Sequence, residues 1–230
     1  DPNIENDTRR KITGICSANI SRSGTFEAVL EYERRAQNLT DLAITSAGIN
    51  VGTIALGKRP LSVQLSILEA ALHYGLVPHN IKSRVKQFVS FGTDQEPTKE
   101  LGSCYRDLAP LVHAFKLSLR DQALKEAGIY ISPEPYNVFY AGNHYDLVLP
   151  MSQVEEELVR ERCTLINRRF QGVGTIKPID PHIQTYGSLV GVENLDDDMK
   201  GGLKEAKRIV AYFMDTRKKA IEKMIEYETR

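Results

Sequence analysis

Apolar positions recur along this chain at two periods, and together they predict many helices around a small sheet. Ile12–Ile20 (ITGICSANI) is a short apolar piece that reads as a strand or a buried loop. The turn residues Ser21-Arg22-Ser23-Gly24-Thr25 then lead to a helix expected to begin at Phe26 behind a Thr25 cap, with Phe26, Val29, Leu30 and Ala36 on its apolar face. Leu39–Leu56 predicts a helix to Ala47 followed by an extended piece. Leu61, Leu65, Leu68 and Leu72 fall at helical spacing after Pro60. Ile81, Val85, Phe88 and Val89 do so after Pro78-His79-Asn80. A further stripe, Leu108, Leu111, Val112, Phe115, Leu119 and Leu124, ends at Gly128.

Period-2 alternation is confined to Tyr136–Pro150, YNVFYAGNHYDLVLP. Val138–Tyr140 and Tyr145–Leu149 read as two strands of a hairpin joined at Ala141-Gly142-Asn143. Ser152 and Glu155 form a capping box for a helix running to about Arg169, with Cys163 inside it as a small buried residue. Gln171–Leu195 reads as loop with one short strand near Ser188–Val192. Leu203, Ala206, Val210, Phe213, Ile221, Met224 and Ile225 make a long final amphipathic helix behind the acidic run Asp196-Asp197-Asp198. The fold class expected is α+β, a helix-rich body packed on a small antiparallel sheet. Three segments are expected: a flexible 1–22, a helix-rich α+β domain at 23–195 that holds the site, and a C-terminal amphipathic helix at 196–230, available for self-association.

Composition narrows the function classes. The 230 residues carry 30 basic and 30 acidic side chains, a balance that argues against a nucleic-acid-gripping surface. With 41% hydrophobic residues a sizeable core is expected. No apolar run reaches the ~20 residues of a membrane span. The opening Asp1-Pro2 reads as a processed or cut edge, and the residues after it lack the apolar core of a signal peptide. Three cysteines without paired spacing point to free thiols in a reducing compartment, hence a cytoplasmic location. No Cys/His cluster has zinc spacing, Asp196–Asp198 has no calcium-loop pattern around it, and no cofactor is expected. Gly172-Val173-Gly174 and Gly201-Gly202 fall short of a phosphate-loop or dinucleotide fingerprint, which puts a phosphate-binding enzyme third among the readings.

Candidate chemistry centres on thiol and imidazole. His144 opens the second strand of the expected hairpin with Asp146 two residues on, so both side chains share a strand face and the carboxylate can orient the imidazole. A nucleophilic cysteine is favoured at a helix N-terminus, where unpaired N–H groups and the dipole stabilise negative charge. Cys104, behind a Gly102-Ser103 turn and ahead of a helix, fits that position. Cys163 sits within a helix and does not. Cys16 is set behind Cys104 because Ser17–Gly24 shows no immediate helical stripe.

Asn143-His144-Tyr145-Asp146 with Leu147-Val148-Leu149 resembles the histidine end of ovarian-tumour-type (OTU) cysteine deubiquitinases. Gly102-Ser103-Cys104-Tyr105-Arg106 is similar to that family's cysteine loop. The resemblance implies a papain-like layout with Cys104 as nucleophile, His144 as base and Asp146 as its orienter. It further implies hydrolysis of ubiquitin isopeptide bonds through an acyl-enzyme, ubiquitin or polyubiquitin as partner, and action in host cytoplasm if the chain is a pathogen effector. The family's Asp before the cysteine is Leu101 here, and only 40 residues separate Cys104 from His144. Taking Cys16 as nucleophile widens that gap to 128 residues, with Thr13 where the Asp should stand. The alternative reading is a mostly helical binding or assembly module, nucleocapsid-like or scaffold, without catalysis.

Overall fold

A computed structural model describes residues 8–17, 21–49, 66–67, 69–77, 79, 82–83, 86, 139, 145–169, 171, 181–195 and 202–227. Among these, four strands form one sheet: β1 (Arg10–Cys16), β2 (Leu42–Gly48), β3 (Leu147–Pro150) and β4 (His182–Ile183). Helices among these residues include α1 (Arg22–Ala36), α2 (Gln153–Arg169), α3 (Tyr186–Val190) and α4 (Gly202–Glu226). The strand order is β2-β1-β3-β4 and every pairing is parallel. Arg10 to Cys16 pair in register with Leu42 to Gly48 on one side, and Ile12 to Ile15 with Leu147 to Pro150 on the other.

The small antiparallel sheet expected from sequence is therefore replaced by an all-parallel one. The reason is visible in the strands themselves. Leu147-Val148-Leu149-Pro150 is buried at all four positions, as is β1 from Ile12 onward. Strands covered on both faces read as continuous apolar runs, and parallel pairing leaves no tight turn in the sequence to announce it. Of the expected hairpin, residues 138 and 140–144 lie outside the described residues. The chain before β3 meets the sheet elsewhere: the Phe139 N–H donates to the Gly48 carbonyl at the end of β2 (3.0 Å).

Side chains of β1 alternate between two apolar layers. Ile12 and Cys16 face a core built with α1, α3 and α4, whose deepest members include Phe26, Leu30, Tyr186, Ile209 and Phe213. Ile15 faces a second core with Val148, Val159, Cys163 and Ile183, covered by α2. Within the segment 1–22, Arg10–Cys16 form an inner strand and Arg22 begins α1. The C-terminal helix packs on α1: Phe213 meets the Phe26 ring edge-on at 6.0 Å, and Arg217 of α4 pairs with Glu33 of α1 at 2.8 Å.

Two expected helix boundaries also move. The segment expected to be helical up to Ala47 is β2 from Leu42 to Gly48, where β-branched Ile44 and Thr45 favour a strand. α1 begins at Arg22 rather than Phe26, so Ser23, Gly24 and Thr25 are helical and buried. Ser188–Val192, read as a strand, is largely the short helix α3, capped by Thr185, whose side chain accepts from the Ser188 N–H, and closed by Gly191 at φ 69°. α2 and α4 lie within a residue of where the pattern places them.

Candidate active site

In a parallel sheet, ligands are received beyond the carboxyl ends of the strands, where neighbouring connections leave in opposite directions. Here that switch point lies between β1 and β3. The chain leaves β1 through α1 for β2 on one side, while β3 lies on the other side of β1. Cys16 is the last residue of β1. Its carbonyl accepts from the Ile49 N–H (3.0 Å), and the preceding Ile15 carbonyl accepts from the Met151 N–H (2.9 Å), so the strand end is held from both sides.

The described residues beyond Cys16 are Ser17 and then Ser21, which stands at the N-cap of α1. Ser21 makes no side-chain capping bond and the first turn holds no acidic residue. The helical ladder starts with the Thr25 N–H donating to the Ser21 carbonyl (2.9 Å), so the N–H groups of Arg22, Ser23 and Gly24 stand ahead of it. Such a terminus presents partial positive charge and backbone donors to an anion. Ser23, in that first turn, brings its Oγ to 3.0 Å from the Cys16 Sγ and to 3.3 Å from the Ala47 carbonyl.

Arg22, the residue before Ser23, reaches across the top of the sheet to α2. Its Nη2 lies 2.5 Å from Glu155 Oε1, and its Nη1 donates to Glu155 Oε2 (3.1 Å) and to the Leu195 carbonyl (3.0 Å). Both side chains of this pair are nearly sealed from solvent, at 2% and 3% exposure, which makes the bidentate geometry obligatory: a buried charge is tolerated only when paired. The same carboxylate accepts from the Ser17 hydroxyl (3.0 Å) and the Ser152 hydroxyl (2.7 Å). The capping box expected at Ser152 and Glu155 is present in its first half, the Glu155 N–H donating to the Ser152 Oγ (3.5 Å), while the Glu155 carboxylate is turned to Ser17, Arg22 and the Ser152 hydroxyl.

Cys104 and His144 lie outside the described residues. Asp146 is at the wrong end of the sheet to serve Cys16. Its carboxylate accepts from the Lys11 N–H (2.7 Å) and its own N–H donates to the Lys11 carbonyl (2.9 Å), beside the start of β1. Five residues of extended chain, ~16 Å, separate Lys11 from Cys16. Asp146 thus stands at the opposite end of β1 from Cys16. Cys163 is buried in the α2 core. Among the described residues no three or more His, Cys, Asp or Glu side chains gather to hold a metal ion, and no helix is long and apolar enough to cross a membrane. Ser17, Arg22 and Ser23 carry no functional reading from sequence, and Glu155 is marked there only as part of a helix cap. The signal that identifies them is a cysteine closing an apolar run, followed six residues on by an Arg-Ser pair that opens a helix.

No family model matches the chain, and no curated protein matches it. Solved structures do. A protein tyrosine phosphatase from Entamoeba histolytica, crystallised with Hepes in its active site, aligns with a TM-score of 0.53 at 14% identity, over 94% of this chain and 97% of that one. A low molecular weight protein tyrosine phosphatase from T. tengcongensis gives 0.49 at 17% identity, over 93% and 99%. Vibrio vulnificus Wzb, in complex with benzylphosphonate, gives 0.49 at 14%, over 95% and 99%. At such identities the likeness is one of fold, and the first of the three carries it. Together with the all-parallel sheet it overturns the resemblance to OTU deubiquitinases, and with it the papain-like layout and isopeptide hydrolysis.

Proposed function

We propose that this chain is a cysteine-dependent phosphatase that hydrolyses phosphate monoesters through a phosphocysteine at Cys16. One observation carries the reading: the Cys16 sulfur closes β1 at the switch point, 3.0 Å from Ser23 in the uncapped first turn of α1, beside Arg22. A nucleophilic thiol next to a ready-made anion site is the pairing that phosphoryl transfer to sulfur requires. An acyl transfer would need no such anion site in the ground state.

The chemistry follows from the groups present. Ser23 has one hydroxyl hydrogen and two acceptors in reach. With a thiol, the S–H donates to Ser23 and Ser23 donates to the Ala47 carbonyl. With a thiolate, the hydroxyl turns to the sulfur and stabilises it. The thiolate attacks phosphorus, the S–P bond forms, and the P–O bond to the leaving group breaks. Water then attacks phosphorus, the S–P bond breaks, and phosphate departs as the thiolate is restored. The N–H groups of the α1 terminus and the Arg22 guanidinium bear on the negative charge of the non-bridging oxygens.

The substrate class put forward is an aryl phosphate, such as phosphotyrosine in a peptide. The E. histolytica neighbour is a protein tyrosine phosphatase, and a phenol, with a pKa of about 10, leaves far more readily than an alkoxide. The test is turnover of p-nitrophenyl phosphate and a phosphotyrosine peptide by the native chain and by Cys16→Ser, Cys104→Ser and Cys163→Ser. Loss of turnover in Cys16→Ser alone is expected. Full activity in that variant would defeat the reading.

A further inference from the structure

We propose that Glu155 is a positioning residue for the phosphate site, a single buried carboxylate on α2 that fixes Ser17, next to Cys16, and Arg22, at the start of α1, relative to each other. The inference rests on the phosphatase reading of Cys16. Glu155 Oε1 accepts from both the Ser17 hydroxyl and the Arg22 Nη2, so the residue directly after the nucleophile and the guanidinium converge on one oxygen. The Ser152 hydroxyl and Arg22 Nη1 hold Oε2, which fixes the carboxylate plane.

Three elements are joined through it: the end of β1, the start of α1, and the junction of β3 with α2. The first two belong to the layers on and within the sheet, and α2 belongs to the opposite layer, so the link crosses the carboxyl edge where the substrate would enter. A guanidinium is a planar fork with two usable edges. By taking the Nη1–Nη2 edge in bidentate fashion, Glu155 sets the plane of the group and the direction of its Nε–Nη2 edge. A site of this kind works only when its donors are held close to the productive geometry.

Glu155 itself touches no reacting atom in this account, so its removal acts on anion binding rather than on the sulfur. Glu155→Gln is nearly isosteric but loses the charge and offers one acceptor oxygen where four donors converge. The experiment measures tungstate binding by calorimetry and kcat and KM on p-nitrophenyl phosphate, with a thermal melt for each protein. Glu155→Gln is expected to weaken tungstate and raise KM by about ten- to hundredfold, the loss of one charge-assisted hydrogen bond. Ser17→Ala, which removes one tether only, is expected to weaken tungstate by about threefold, and Glu155→Asp to recover part of the loss.

Arg217→Ala, which breaks an ion pair between α1 and α4 away from the site, serves as the control for mere destabilisation. Its melt falls while its tungstate affinity stays native. Native tungstate affinity in a folded Glu155→Gln protein overturns the proposal. Should that variant not fold, Ser17→Ala decides: weakened binding upholds the proposal and native binding overturns it. Failure of the phosphatase reading is separate and plain, since the native chain itself would then neither bind tungstate nor turn over the ester.

Discussion

Gly14 lies within β1, directly beneath Phe26 of α1. A Cβ built there would stand 2.4, 2.7 and 2.9 Å from the Cδ1, Cε1 and Cγ atoms of Phe26. Carbon atoms in contact settle at ~3.5–4.0 Å, so the ring must withdraw by about 1 Å. It has nowhere to go. Phe26 is fully buried, with Tyr186 edge-on at 5.6 Å and Phe213 at 6.0 Å behind it. Gly14→Ala must therefore lift α1 off the sheet or disorder three aromatic rings. Overpacking of this kind costs about 1–3 kcal/mol, offset by the ~0.5–1 kcal/mol that alanine contributes over glycine within a strand. A net loss of about 1–2 kcal/mol is expected in urea unfolding, read as a lower midpoint at unchanged slope. The same lift would stretch the 3.0 Å contact between Cys16 and Ser23, because Ser23 sits one helical turn before Phe26. The cost should shrink by about 1 kcal/mol in a Phe26→Leu background, where the ring is gone. Gly14→Ala as stable as the native chain, or equally costly in both backgrounds, would refute the reasoning.

Other outcomes follow from buried polar groups. Burial is the main cause holding the Glu31 carboxyl at about 7 rather than near 4.5, against the opposing pull of Arg34. The folded state thus binds a proton that the unfolded chain has already released between those values. Its stabilising effect is complete below ~4.5 and is lost as pH rises through 7, a loss of order 3 kcal/mol. Urea midpoints of the native chain should fall from pH 5 to pH 8, and Glu31→Gln should flatten that slope. Arg22→Leu leaves the Glu155 carboxylate buried without its cation and should cost about 3–5 kcal/mol in the same assay, whereas the double variant with Glu155→Leu should cost less. Tyr186→Phe removes a hydroxyl 2.8 Å from the Thr216 Oγ1 and should cost ~1 kcal/mol, seen in a thermal melt.

Local signals in the sequence were read well where they were self-contained. The Ser152-to-Glu155 box and the long stripe from Leu203 announce α2 and α4 without reference to anything distant. The sheet is different in kind. β1 pairs with β3 through Ile12 and Leu147, residues 135 positions apart, so the pairing that organises the fold has no turn to mark it. β4 is two residues long. Only the first turn of α1 is hidden: Phe26, Val29, Leu30 and Ala36 mark the helix, but Arg22, Ser23, Gly24 and Thr25 ahead of them are polar or small and yet buried, so no stripe shows before Phe26. That missing stripe is what set Cys16 behind Cys104. Asp146, expected inside a strand from Tyr145 to Leu149, lies just ahead of β3, which begins at Leu147 and runs parallel to β1, so its carboxylate stands at the far edge.

The central claim is that Cys16 is the phosphoryl acceptor. Rapid mixing of the native chain with p-nitrophenyl phosphate, an acid quench within the first turnover, and peptide mapping by mass spectrometry test it directly. One phosphoryl group is expected on the peptide bearing Cys16, absent from Cys16→Ser and formed no more slowly than phosphate is released. A phosphoryl group on Cys104 or Cys163, or turnover that persists without Cys16, would contradict it.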